Sequence, residues 1–259
     1  MSLFDFKSAE DFKEQCGYTI DDIWYPRVTK IVGIKAKPAL LFYYAEAKSY
    51  AEANAQTKKS AEEGTAIHNA CEKIFVGESP VVEAQIAPAI TAFQEFMGHK
   101  NIQVAPDFIE RRIVSFDHRY AGTMDALALI DGKLGVLDIK TSQAIYRDYN
   151  LQTSAYMDAL HRELKTPPQT RWILRIDQAQ NCLACGATLR TKGGKEKIRT
   201  AKYRGASCPE GQHEWSETRG IIELKEFPYW KEDFDAFLGA KKLWEWENDS
   251  WLRKVGYLK

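Results

Sequence analysis

The chain has 259 residues, enough to bury a substantial apolar core as one large α/β domain or a core with a small insertion, and too few for two full-sized domains. Its 36 Lys and Arg balance 36 Asp and Glu, so whole-chain charge points to no polyanionic partner and only local clusters can do so. No apolar run reaches the ~18 residues of a membrane span, "MSLFDFKSAEDFKE" lacks the pattern of a secretory signal, and five unevenly spaced cysteines argue against a secreted disulfide framework, which together predict a cytoplasmic protein with no membrane partner.

In chain order, "YPRVTKIVG" (25–33) reads as a short strand or extended arm, followed by a helical stretch from Pro38 through Gln56. In "SAEEGTAIHNACEKIF", Ser60 and Glu63 make the S-x-x-E capping box of a new helix whose apolar stripe is Ile67, Ala70, Cys71 and Ile74. His68 and Glu72 lie four apart at the edge of that stripe. A helix from Pro88 to Lys100 precedes a strand from Phe108 to Phe116. Next, "GTMDALALIDGKLGVLDIKTS" (122–142) reads as two strands joined by Asp131-Gly132, a strong hairpin signal. "DYNLQTSAYMDALHREL" carries Leu151, Ala155, Leu160 and Leu164 at helical spacing and stops before Pro167-Pro168. Strands "RWILRI" and "GIIELKEF" follow, and a helix from Trp230 to about Trp251 closes the chain. This order predicts an α/β fold with a mixed central β-sheet flanked by helices. Residues 178–218 read as an insertion at a hairpin tip, with residues 1–177 and 219–259 forming the core.

The hairpin poses a chemical question, because its apolar strands carry Asp125 and Asp138. A two-residue loop pairs Ile130 with Lys133 and sets Asp125 opposite Asp138, where like charges repel. Strand alternation then points Lys140 to the same face as Asp138. Two carboxylates and an ammonium on one spot suit a hard divalent cation such as Mg²⁺ or Mn²⁺, with the lysine placed to activate water or neutralise a phosphate. The plainer alternative makes Asp138 and Lys140 the solvated face of an edge strand, with Asp125 on a polar bend.

The insertion has a different chemistry. "CLACG" at 182–186 and "CPEGQH" at 208–213 form C-x2-C, a 22-residue gap and C-x4-H, so Cys182, Cys185, Cys208 and His213 make a Cys3His set suited to structural Zn²⁺ in a ribbon-like element. Between them, Arg190 to Arg204 carries seven Lys or Arg and one acid, Glu196, around a Lys192-Gly193-Gly194-Lys195 turn. Such an arm, with Lys192, Lys195, Lys197 and Arg199 at its centre, is an electrostatic footprint for a phosphate backbone. A solvated loop is its plain alternative.

"GTMDALALI" followed by "GVLDIKTS" resembles motifs II and III of the PD-(D/E)XK nuclease superfamily, and "GTAIHNACE" and "LQTSAY" resemble the His and Q-x-x-x-Y motifs of its RecB-like branch. That branch includes nuclease domains of helicase-nucleases and CRISPR-associated exonucleases. The similarity spans roughly residues 25 to 176. It implies a restriction-endonuclease-like core in which Asp125, Asp138, the Ile139 main-chain carbonyl and a His68 nitrogen hold the metal. Lys140 is then the catalytic lysine, Gln152 and Tyr156 line the nucleic-acid path, and Glu110 is the candidate for a second metal. Several relatives in that branch carry an iron-sulfur cluster, for which Cys16, Cys182, Cys185 and Cys208 are the alternative set; zinc accounts better for His213. The implied activity is metal-dependent hydrolysis of DNA phosphodiester bonds, more as an exonuclease on single strands or ends, in recombination, repair or mobile-element processing. The alternatives are a DNA-binding module without chemistry and a dimeric sequence-specific endonuclease.

Overall fold

The computed structural model describes residues 6–200, 208–209 and 212–259; the first five residues of the leader reading and the far end of the basic arm, including Arg204, lie outside them. Ser8 caps α1 (Ala9–Cys16) by accepting from the Asp11 N–H, and β1 (Gly17–Ile20) and β2 (Ile23–Pro26) form a small hairpin. The expected extended arm ends at Pro26. Beyond it Val28, Ile31 and Val32 are buried at helical spacing and make a short α2 (Val28–Val32). The helical stretch from Pro38 also divides, into α3 (Pro38–Glu46) and α4 (Tyr50–Phe75). The N-cap of α4 is Ser49, whose hydroxyl accepts from the Glu52 N–H at 3.1 Å, while Ser60 lies inside the helix. Ser49 to Glu52 and Ser60 to Glu63 carry the same S-x-x-E pattern, and only the packing of the whole helix selects the first.

The chain continues through α5 (Ala87–His99), β3 (Ile102–Ser115), β4 (Tyr120–Ile130), β5 (Lys133–Lys140), α6 (Tyr149–Glu163), β6 (Thr170–Asn181), β7 (Thr188–Lys192), β8 (Lys195–Arg199), β9 (Arg219–Glu226), α7 (Lys231–Glu247) and α8 (Asp249–Lys254). The central sheet runs β3-β4-β5-β6 with β9 on the far side of β6, and it is antiparallel except at β5–β6, which α6 connects as a parallel crossover. The fold is therefore α/β with a mixed central sheet flanked by helices. β6 stays paired with β9 as far as Ala179, so the insertion proper begins near Cys182 rather than at residue 178. The closing helix is interrupted at Asn248, whose side-chain amide donates to the Trp244 carbonyl at 2.8 Å.

Two apolar layers enclose the sheet. On one face Phe12, Ile31, Tyr156, Phe237 and Leu252 from α1, α2, α6, α7 and α8 pack with Met124 and Val136. On the other, Ile67, Ile90 and Phe93 from α4 and α5 pack with Ala126, Leu137, Ile139 and Leu174. Burial on both faces explains why β5 and β6 read as nearly continuous apolar runs. Among the described residues, no helix is long and apolar enough to cross a membrane.

Candidate active site

Asp131 (φ 50°) and Gly132 (φ 82°) form the two-residue loop, and the pairs run from Ile130↔Lys133 to Ala126↔Leu137 in the register that loop dictates. The ladder stops one pair short of Asp125 and Asp138. At that point the alternation of β4 flips: Met124 packs in the α6-side layer, whereas Ala126 and Ala128 pack in the α4–α5 layer. Asp125, at the flip, turns Oδ2 to accept from the Ile139 N–H at 2.6 Å, so a carboxylate replaces a ladder bond. On β3, Glu110 falls between the Ile109↔Ala126 and Arg111↔Met124 pairs with φ 48°. A left-handed non-glycine residue costs about 1–3 kcal/mol and is held only where its surroundings over-determine it.

The expected face-to-face carboxylate pair is thereby corrected. The register holds, but Asp125 converges with His68 and Glu110, one donor atom from each lying within 4.8 Å of the others. Asp138 faces α6 instead. It is fully buried on a strand flanked by β4 and β6, which removes the alternative of a solvated edge strand. Its Oδ1 accepts from Gln152 Nε2 at 3.0 Å, and the same amide donates to the Tyr156 hydroxyl at 2.9 Å. Lys140 Nζ lies 2.6 Å from Oδ2, so the buried carboxylate is paired with an ammonium. Gln152 and Tyr156 share a helix face as the spacing requires. Tyr156, however, is only 1% exposed, so it orients Gln152 rather than lining an open path.

Electrostatics follow from this enclosure. Burial raises the carboxyl pKa of Asp138 and of Asp125 against the opposing pull of Lys140, and the Asp125 charge raises Asp138 further. Burial pulls the Lys140 ammonium down, but Asp138 and Asp125 outweigh it and hold the group above its ordinary value. Burial, then Lys140, depresses His68 to about 4, so its imidazole is neutral near pH 7 and free to ligate. Glu110 is pushed up to about 7 by burial and by Asp125 and Glu72. The centre opens on the His68 side, where the His68 and Asp125 side chains keep 26% and 14% exposure.

The second cluster gathers Cys182, Cys185, Cys208 and His213, again with donor atoms within 4.8 Å of one another, a group able to hold a metal such as zinc. Cys182 and Cys208 Sγ are 3.8 Å apart, Cys185 Sγ is 3.5 Å from His213 Nδ1, and Trp215 stacks on the His213 ring. Cys16 lies elsewhere, packed with Phe12 and Trp24 in the α6-side core, so the four-cysteine iron-sulfur set is not assembled. On the hairpin between the knuckles, Lys195, Lys197 and Arg199 are exposed. Lys192 is not free for phosphate as expected, because its ammonium is spent on the Thr141 carbonyl and hydroxyl. A cavity of about 590 Å³ separates this hairpin from α3 and α4, with Tyr43, Gln56, Thr141, Lys195 and Lys197 among its walls.

Sequence reasoning missed Arg190, whose guanidinium joins Asp177 to Thr141, and Gly64, which lets α4 approach Thr141. Gly64 precedes His68 by one turn, a spacing visible in the sequence but without meaning until Thr141 is placed beside it. No protein-family model matches the chain, and no curated protein matches it.

Proposed function

We propose that this chain is a divalent-metal-dependent nuclease of the PD-(D/E)XK type that hydrolyses DNA phosphodiester bonds, acting as an exonuclease on single strands or ends. The observation that carries this reading is the convergence of His68, Glu110 and Asp125, with the fully buried Asp138 and its Lys140 partner beside them. Gathering several carboxylates at one part-buried spot is unfavourable unless opposite charge offsets their repulsion, and a cation would supply what Lys140 alone does not. Carboxylate oxygens with one neutral imidazole fit Mg²⁺ or Mn²⁺. His68, Asp125 and Glu110, whose donor atoms converge, would hold the ion, and the resemblance adds Asp138, on the α6 side, and the Ile139 carbonyl to its ligands. When bound, such an ion supplies Lewis acidity to a phosphate oxygen and lowers the pKa of water. Lys140 keeps its proton and faces the same spot, where it neutralises charge growing on the phosphate. Gln152, held by Tyr156, fixes the Asp138 carboxylate in place.

The knuckle fits structural Zn²⁺. Tetrahedral bonds of about 2.3 Å to sulfur and 2.0–2.1 Å to nitrogen put donor atoms about 3.5–3.8 Å apart, and the sulfur–sulfur and sulfur–nitrogen separations here are 3.8 and 3.5 Å. Exposed Lys195, Lys197 and Arg199 supply sequence-independent phosphate contacts.

The test is to incubate end-labelled single- and double-stranded DNA and RNA with the protein in Mg²⁺, Mn²⁺ or EDTA, beside Asp138→Asn and Lys140→Met. Degradation of DNA that needs the cation and falls by roughly 10²–10³-fold or more in each variant is expected. Equal degradation by all three proteins would overturn the assignment, and DNA binding without any degradation would favour a binding module.

A further inference from the structure

The basic hairpin carries two sets of cations with different partners. Strand alternation places Arg190 and Lys192 on one face of β7, and both reach back to the residue after Lys140. Arg190 Nε donates to the two Asp177 carboxylate oxygens at 2.7 and 2.9 Å, and its Nη2 donates to the Thr141 carbonyl at 3.1 Å. Lys192 Nζ donates to the same carbonyl and, at 2.8 Å, to Thr141 Oγ1. Every residue of β8 faces solvent.

The hairpin tip is fixed as well. Gly193 N donates to Glu63 Oε2 at 2.7 Å, and Gln56 Nε2 donates to the Lys192 and Gly193 carbonyls, both at 3.0 Å. A Cβ at Gly193, where φ is +57°, would lie 2.7 Å from Ser60 N. The same helix presses on the other side of Thr141, since a Cβ at Gly64 would lie 2.8 Å from Thr141 Oγ1. Thr141 is thus clamped between α4, which carries His68, and β7.

At its base, among the described residues, the hairpin joins the core through a short ladder and a small apolar cluster. β7 pairs with the end of β6 at two positions only, Gln180↔Leu189 and Asn181↔Thr188. The apolar cluster beneath it consists of Cys182, Cys185 and Ala187, with Cys208 and Trp215 partly buried against it.

We propose that the metal knuckle and its hairpin form a strut that positions Thr141 and, through it, Lys140, so that Arg190 and Lys192 are positioning residues and occupancy of the knuckle governs the acidic centre. Lys140 as the catalytic residue rests on the nuclease reading; the mechanical coupling does not. Losing the Lys192 contact, or the metal that anchors β7, frees the end of β5 while both core layers stay packed.

The test uses full-length protein and two readouts: amide hydrogen exchange over residues 139–143, and DNA hydrolysis in Mn²⁺ with kcat and KM separated. The samples are wild type, Lys192→Met, Cys185→Ser, wild type stripped of knuckle metal by a thiol-directed reagent, and Lys195→Ala/Lys197→Ala. Lys192→Met, Cys185→Ser and metal removal are expected to speed exchange at 139–143 by about tenfold, leaving β4 unchanged. They lower kcat and leave KM alone, whereas Lys195→Ala/Lys197→Ala raises KM and leaves exchange alone. Unchanged exchange in Lys192→Met, with KM raised instead, would make Lys192 a phosphate contact and overturn the strut. Coupled exchange in a wild type that hydrolyses no DNA would support the strut and sink only the nuclease reading. Should Cys185→Ser fail to fold, Lys192→Met and metal removal decide the matter.

Discussion

Asp125 and Asp138 stand at the end of a ladder buried on both faces by Leu137, Ile139, Met124 and the helices packed on them. Cys182 and Cys185 are two of the three buried residues of a small cluster among the described residues, Ala187 being the third. The acidic centre is therefore preorganised by the core: its carboxylates are held together against their own repulsion by packing built elsewhere in the chain. Among the described residues the knuckle has no comparable apolar packing, so a metal such as zinc held by its four donors would add order there, as in small metal-stapled elements. Hard oxygen donors sit where the protein imposes geometry, and soft sulfur donors sit where an ion would have to.

The largest expected effect tests whether the acidic centre depends on the core. Leu137→Ala, a fully buried change on β5, should cost about 2–5 kcal/mol and lower the main unfolding transition. Cys185→Ser should instead release the knuckle metal and leave that transition nearly in place. Calorimetry with elemental analysis checks both, and one shared transition lost in Cys185→Ser would erase the distinction between the two regions.

A smaller effect sharpens the account of stored repulsion. Glu110 is raised from 4.5 to about 7, so between those values the native state holds a proton that the unfolded state has released. Metal-free stability should accordingly fall as pH rises through that window, aided by the raised Asp125 and Asp138. His68, depressed from 6.5 to about 4, works the other way below pH 6.5 and does not contribute above it. Thermal melts in EDTA should show the decline, Mn²⁺ should flatten it, and Glu110→Gln should reduce it. A metal-free protein whose stability climbs between pH 6.5 and 7.5 would contradict the clustering of these acids.

The smallest effect concerns the exposed arm. Neutralising Lys195 and Lys197 should weaken DNA binding uniformly across sequences and reduce the salt slope by roughly 0.7–0.9 per contacting charge. Titrations at several salt concentrations measure it. An unaltered slope would leave the hairpin with its strut role alone.

Much of the site was legible without the fold, for reasons that differ from residue to residue. Asp131-Gly132 permits one tight loop, and that loop sets the β4–β5 register as far as Ala126↔Leu137. The C-x2-C and C-x4-H spacings bring donors together within each knuckle. The Ser60 cap was misplaced because an identical pattern eleven residues earlier competes for the same helix. The extended arm after Pro26 was misread because a five-residue helix leaves too short a period to recognise. Asp138 and Lys140 could be a solvated face or a buried pair until β6 was seen lying alongside β5.

Sequence by itself determined the alternation of elements, the hairpin register and the metal-ligating character of the insertion, because turns and ligand spacings are settled among residues close along the chain. Tertiary structure decided that β4 flips its faces at Asp125, that Glu110 is forced into a left-handed backbone beside it, and that Lys192 turns inward to Thr141 while Lys195 does not. Each of these depends on which surface packs against which, and the contacts join residues far apart along the chain: Lys192 to Thr141, Gln56 to Gly193, His68 to Asp125. No local pattern encodes them, because the free energy that selects them is the burial of two apolar layers formed by the whole chain.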